Sequence, residues 1–182
     1  MNFIETDLKG SFVISLTPSG DSRGWFARTY CKNEFLQIGH TKEWVQLNHS
    51  FTGSKGTIRG MHFQYPPFGE IKMLRCISGA ILDVIVDLRY DSQTFLEWYS
   101  IELSSENKKM LYIPEGFAHG FQTLEDNVEL LYHHSEYYNA GAEGGILYND
   151  PLLDIEWPIP ATEISKRDLS HLQLTSKFKK II

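Results

Sequence analysis

Cysteine is scarce in this chain. Cys31 and Cys76 are the two in 182 residues and neither has a local partner, so two reduced thiols in a cytoplasmic protein are expected rather than a disulfide framework. No apolar run is long enough to span a bilayer, and Met1-Asn2-Phe3-Ile4-Glu5-Thr6-Asp7 lacks the basic and apolar regions of a signal peptide. No membrane association is expected. Basic charge is not in excess either. A net charge of −6 argues against nucleic acid as a partner, because such binding needs a cationic surface that releases counterions. Arginines and lysines focused in one cleft still suffice for a phosphorylated small molecule. Gly-x-Ser-x-Gly, P-loop and Rossmann glycine patterns are absent, as are repeats and low-complexity tracts.

What is present is ordinary globular composition, 42% hydrophobic and 22% charged, in a length that suits one domain over residues 1–182. Stretches rich in Ile, Val, Phe, Tyr and Trp predict strands over 11–16, 24–31, 44–51, 57–63, 72–77, 80–88, 95–103, 110–113, 117–123 and 128–133. Turn signals separate them, among them Ser19-Gly20-Asp21, Tyr65-Pro66-Pro67 and Pro114-Glu115-Gly116. Helix is confined to a turn or two at 31–39 and 163–168. Many short strands in this length predict an all-β fold, a double-sheet jelly roll or cupin-like barrel. The charges of the last stretch, 174–182, read as a solvated tail.

Strand alternation assigns each polar residue its company. His119 shares a face with Phe117, Phe121 and Thr123; Tyr132 with Val128 and Leu130; Lys72 with Leu74 and Cys76; Asp83 with Ile81, Ile85 and Asp87. Polar groups on apolar faces cost free energy unless they gain a partner or a role, so an interior polar cluster is expected. Alternation puts Arg59 and His62 on opposite faces. They meet in one pocket only if the strand departs from regularity near Gly60, as a bulge would make it do. Bland readings stand beside these: Asp83 pairing with Arg75 or Arg89, Lys72 snorkelling to water, the histidines satisfied in a core. A catalytic metal is not expected, because no second histidine lies close to His62 and His133 and His134 point to opposite faces. The residues by themselves define a polar interior, not a reaction.

The motifs together resemble one family, the nucleotide-sugar 3,5-epimerases typified by dTDP-4-dehydrorhamnose 3,5-epimerase. They are Asp21-Ser22-Arg23-Gly24-Trp25-Phe26, Gln46-Leu47-Asn48-His49-Ser50, Ile58-Arg59-Gly60-Met61-His62-Phe63-Gln64, Glu70-Ile71-Lys72, Asp83 to Arg89, Ile113 to Phe121, Glu143 to Pro151, Trp157-Pro158 and Ile164 to Asp168. The resemblance implies a jelly-roll homodimer that acts without cofactor on a nucleotide-diphosphate-linked 4-keto-6-deoxy sugar, in the rhamnose step of bacterial surface-polysaccharide synthesis. By position it makes His62 the general base, Asp168 its dyad partner, Tyr132 the acid on the opposite face and Lys72 the enolate clamp, with His119 and Asp83 nearby. It makes Arg23, Gln46, Asn48, Arg59, Glu143 and Arg167 substrate-binding positions, and Tyr138 the residue that stacks on the base.

The residue types suit that chemistry. A proton beside a ketone is less acidic than imidazolium by on the order of ten pKa units, so a histidine base needs help at the oxygen where charge develops. A lysine ammonium supplies it, a carboxylate fixes the histidine tautomer, and a tyrosine returns a proton from the far face. Arginines meet the diphosphate by bidentate bonds. Arg28 stands where the family has glutamate, residues 46–59 run one longer than its pattern, and Arg167 replaces its lysine. These departures leave open which nucleotide is used and whether one or both carbons invert. A single-site epimerase, a ketoisomerase and a non-catalytic sugar-nucleotide binder remain as alternatives.

Overall fold

Strands dominate the computed structural model, which describes residues 1–174. In chain order they are β1 (Asn2–Glu5), β2 (Phe12–Ser15), β3 (Ser19–Asp21), β4 (Gly24–Phe26), β5 (Gln46–Thr52), β6 (Thr57–Gln64), β7 (Lys72–Ser78), β8 (Ala80–Asp87), β9 (Trp98–Ser104), β10 (Lys109–Ile113), β11 (Phe117–Thr123), β12 (Val128–His134), β13 (Glu143–Gly145) and β14 (Glu163–Ile164). Among the described residues, helix is limited to α1 (Lys32–Phe35), a 3₁₀ turn at Leu36–Ile38, and α2 (Lys166–Leu169). One sheet has the order β1-β2-β10-β7-β12-β5. The second has the order β13-β6-β11-β8-β9, with β14 parallel to β6, and β3–β4 form a separate hairpin. The two large sheets make the expected jelly roll.

Alternation explains how they pack. Val13, Leu74, Cys76, Leu111, Ile113, Val128 and Leu130 of the first sheet meet Ile81, Ile85, Leu103, Phe117 and Phe121 of the second in one buried cluster. These include the apolar companions predicted for Lys72, Asp83, His119 and Tyr132, so all four faces turn to one interior. The outer faces are covered too. Met61, Phe63, Val84, Val86 and Ala118 pack under the C-terminal segment through Ile146, Leu153, Ile155 and Leu174. On the first sheet Ile14, Met73, Met110 and Tyr112 pack with Phe35. Coverage on both faces is why β11 is buried at every residue, its polar His119, Gln122 and Thr123 included.

Several expected elements differ. The Ser19-Gly20-Asp21 turn signal forms strand β3, and the strand expected over 24–31 stops at Phe26, because the pair is an isolated hairpin turning at residues 22–23. β1 and β13 are too short to show a pattern. At 163–168 the expected helix is divided: Glu163 and Ile164 pair with Thr57 and Ile58, and the helix starts only after Ser165, whose hydroxyl caps it by accepting from the Asp168 N–H at 3.0 Å. The charges of the expected tail lie outside the described residues, while Leu174 at its start is buried in the outer core. Both cysteines are free. Burial pushes the Cys76 thiol up to about 11, which keeps it a packing residue.

The predicted irregularity at Gly60 is present. His62 lies opposite His119 and Arg59 opposite Phe121, with the register shifting between the two pairs. Between these pairs two residues on β6, Gly60 and Met61, oppose the single Gly120 on β11, and the Arg59 and His62 side chains both reach the interior. Gly60 has φ +131°, and a Cβ there would lie 2.5 Å from the Cα of Gly120 and 2.9 Å from the carbonyl oxygen of His119. Gly60→Ala is therefore expected to cost at least about 2 kcal/mol, from backbone strain and overpacking together. Denaturant midpoints measure this, and a change below about 0.5 kcal/mol would contradict the packing argument.

Candidate active site

A cavity of about 890 Å³ lies between the sheets. Its wall takes His62 and Arg59 from β6, His119 from β11, Lys72 from β7, Tyr132 and His134 from β12, Gln46, Asn48 and Ser50 from β5, Glu143 from β13, and Arg167 and Asp168 from α2, with Glu70 and Tyr138 from adjoining loops. Eleven of the thirteen site residues expected from the sequence line it. Asp83 lies one layer behind, fully buried, with its Oδ1 2.7 Å from His119 Nε2. Its partner is thus His119, and Arg89 pairs with Asp87 instead. Arg23 sits on the exposed β3–β4 hairpin, bound to Asp21 at 2.6 Å, away from the cavity of its own chain. Arg28 pairs with Glu34 and is likewise outside it.

His62 donates from Nε2 to Asp168 Oδ1 at 2.8 Å. The carboxylate can only accept, so this contact assigns the proton to Nε2 and leaves the Nδ1 lone pair as the basic site of the neutral ring. Asp168 also accepts from the Gly60 N–H at 3.2 Å and from Arg167 Nε at 3.3 Å. Burial works to raise the Asp168 carboxyl, but the His62 hydrogen bond and charge, the Gly60 N–H and Ser165 outweigh it and hold the group well below the usual carboxylate range. Asp83 behaves oppositely: complete burial raises it against the pull of His119.

A group held below its unfolded value contributes stability that is fully present above that value, near pH 4, and is lost as pH falls further. The Tm gap between wild type and Asp168→Asn should therefore shrink by roughly 5 °C between pH 7 and pH 3. A gap independent of pH would contradict the ionised, paired Asp168.

The opposite wall carries the other charges. Lys72 Nζ lies 2.9 Å from Glu70 Oε1, and Glu70 Oε2 accepts from His134 Nδ1 at 2.7 Å. Burial works to raise the Glu70 carboxyl, and its bonds and charge interactions with His134 and Lys72 outweigh it, so Glu70 is held below the usual range. Tyr132 accepts from Ser50 Oγ at 3.4 Å, which leaves its own hydroxyl hydrogen for another acceptor. Burial is the main cause pushing the Tyr132 hydroxyl well above its ordinary value, so it stays protonated. At the mouth, Arg167 holds Glu143 at 2.9 Å, and the Tyr138 hydroxyl donates to Glu143 at 3.2 Å while the residue stays exposed. Arg59 donates to Thr52 at 3.1 Å.

Sequence reasoning missed Glu70, His134, Ser50, Ser165 and His171. His134 was signalled: it follows Tyr132 by two and so shares its face, while His133 points outward to Trp44. His171 Nε2 is buried without a hydrogen bond and lies 3.9 Å from Asp168 Oδ1. His62, Asp168 and His171 form a set of ligand atoms within 4.8 Å of one another. The Arg167 guanidinium, 3.2 Å from His62 Nε2 and 3.3 Å from Asp168, already supplies that set with positive charge. A cation would have to displace it, and the set fits proton handling better than metal binding.

A family model described as dTDP-4-dehydrorhamnose 3,5-epimerase matches residues 5–176 of the chain. A dTDP-4-dehydrorhamnose 3,5-epimerase of Shigella flexneri is 40% identical over 171 residues, covering 93% of this chain and 94% of the relative. The crystal structure of a dTDP-4-dehydrorhamnose 3,5-epimerase from Bacillus anthracis, with TDP and PPi bound, matches with a TM-score of 0.92 at 40% identity, over 95% of this chain and 99% of that one. A 3'-monoepimerase from Streptomyces bikiniensis, in complex with dTDP-quinovose, matches with a TM-score of 0.86 at 29% identity, over 92% and 85%.

Proposed function

Since the chain belongs to the dTDP-4-dehydrorhamnose 3,5-epimerase family, we propose that it inverts C3 and C5 of dTDP-4-dehydro-6-deoxy-D-glucose to give dTDP-4-dehydro-L-rhamnose. His62 takes the proton, Lys72 stabilises the enolate oxygen, and Tyr132 returns a proton to the other face. One observation carries this reading. The base with its Asp168 partner comes from β6 and α2, on the side of the second sheet, whereas Tyr132 and Lys72 come from β12 and β7 of the first. A planar enolate lying in the cavity between the sheets then has a base on one face and an acid on the other, the arrangement inversion requires. The steps move protons with no net redox change, so the reading calls for no cofactor.

Arg59 and Arg167 supply positive charge for the diphosphate, Gln46 and Asn48 offer amides to the sugar nucleotide, and the exposed Tyr138 ring is open for stacking on the base. A homodimer in the cytoplasm is part of the proposal. Edge strand β5 exposes Leu47 and Phe51, and the hairpin exposes Trp25 and Phe26. Arg23 then serves a substrate only in the cavity of a second copy.

Tyr132→Phe tests the division of labour. Inversion should fall by about 100-fold or more, while deuterium from heavy water still enters at the carbons beside the ketone at a rate within about tenfold of wild type. Equal loss of exchange and inversion would remove Tyr132 from the acid role. The likeness to a 3'-monoepimerase favours a second reading, in which only one carbon inverts; label at one position alone would select it.

A further inference from the structure

We propose that Glu70 and His134 are positioning residues: they hold the Lys72 ammonium against the reacting sugar and tie it to the wall that carries Tyr138. The proposal rests on the epimerase reading above. Lys72 and His134 are directly opposite each other on antiparallel neighbours β7 and β12, and Glu70 lies two residues before Lys72. The three side chains are 12%, 11% and 10% exposed, so the group forms a shielded patch of the cavity wall.

The polarity of the contacts is consistent from end to end. A carboxylate only accepts, so His134 must carry its proton on Nδ1 to reach Glu70 Oε2. In the neutral ring Nε2 then bears a lone pair, which suits the Asn48 Nδ2 donor 3.3 Å away. That sets the Asn48 amide so that its Oδ1 accepts from Gln46 Nε2 at 3.3 Å, and Gln46 Oε1 accepts from the Tyr138 N–H at 3.3 Å. Every donor in this chain points toward Glu70, whose second oxygen receives Lys72. Four in-facing residues on three adjacent strands thus join the proposed nucleotide end of the cavity to the proposed enolate clamp. Lysine needs such a support, because its ammonium rides on a flexible four-carbon stem, and misplacement by about 1 Å costs on the order of 100-fold in rate.

The test compares Glu70→Ala with Glu70→Gln in steady-state epimerisation, after wild type has been assayed with dTDP-, CDP- and GDP-linked 4-keto-6-deoxy sugars. Glu70→Ala should lower kcat by about 10- to 100-fold with KM within about threefold, since the ammonium loses its support but not its charge. Glu70→Gln should recover to within about fivefold of wild type. Its amide oxygen still accepts from Lys72, and its NH₂ can serve His134 in the other tautomer. A Glu70→Ala kcat within twofold of wild type, or Gln no better than Ala, would overturn the positioning role.

Nitrogen-15 NMR of histidine gives a readout independent of turnover. His134 should be protonated on Nδ1 and not on Nε2 in wild type, and should lose that preference in Glu70→Ala; the opposite tautomer in wild type overturns the chain of contacts. Wild type inert toward all three nucleotides would sink the epimerase reading itself, and the positioning role of Glu70 with it. Activity in wild type with unaltered Glu70 variants overturns only the present inference.

Discussion

Replacing His62 with alanine should lower epimerisation by about 10³- to 10⁴-fold, the range expected when a general base is removed from a site whose other groups stay in place. Asp168 would then keep its Gly60 and Arg167 contacts, at 3.2 and 3.3 Å, so the wall should hold its shape. Affinity for the nucleotide should change by less than about threefold, because Arg167, the proposed diphosphate-binding residue beside His62, keeps its Asp168 and Glu143 bonds in the variant. Exchange of substrate hydrogen with heavy water should fall as far as turnover does. This separates His62→Ala from Tyr132→Phe, in which exchange persists and inversion fails. Retained turnover would remove His62 from the base role, whereas wild type and variant equally inert, with unchanged dTDP affinity, would favour a sugar-nucleotide binder in which His62 is a satisfied core histidine.

Lys72→Met should cost about 10²- to 10³-fold in kcat with little change in KM, by the magnitudes seen when a pre-positioned oxyanion stabiliser is lost. C3 and C5 flank the same ketone, so one ammonium stabilises the enolate formed on either side. Their exchange rates are therefore expected to fall together. Unequal loss would place Lys72 against one carbon's chemistry rather than against the oxygen. Methionine keeps much of the apolar stem, which separates loss of the charge from loss of packing. Glu70 is left buried in this variant with only His134 beside it, so a lowered Tm is expected alongside the kinetic loss.

How far the sequence carried these assignments differs from residue to residue. The faces holding Lys72, Asp83, His119 and Tyr132 followed from alternation, because the jelly roll buries one side of each strand in a common core. The irregularity at Gly60 followed from a conflict: Arg59 and His62 are an odd number apart, and a break had to lie between them for both to face one cavity. Asp168 was placed by resemblance alone. Its position depends on β14 joining β6 in parallel and on the Ser165 cap that starts α2; the two-residue pairing leaves no pattern, and the Ser165-x-x-Asp168 spacing marks a helix start without saying where the carboxylate points. Glu70 lies outside any strand, so alternation gave it no face. Arg23 shows the limit on the other side, since its matching position along the chain does not bring it to the cavity of its own protomer.

The central claim is that one cavity takes protons from both carbons beside a ketone and returns them to the opposite face. Incubation with dTDP-4-dehydro-6-deoxy-D-glucose in heavy water, followed by NMR at C3 and C5, tests it most directly. The account predicts deuterium at both carbons, with both centres inverted. No deuterium at either carbon, with the dTDP-, CDP- or GDP-linked sugar, would contradict it.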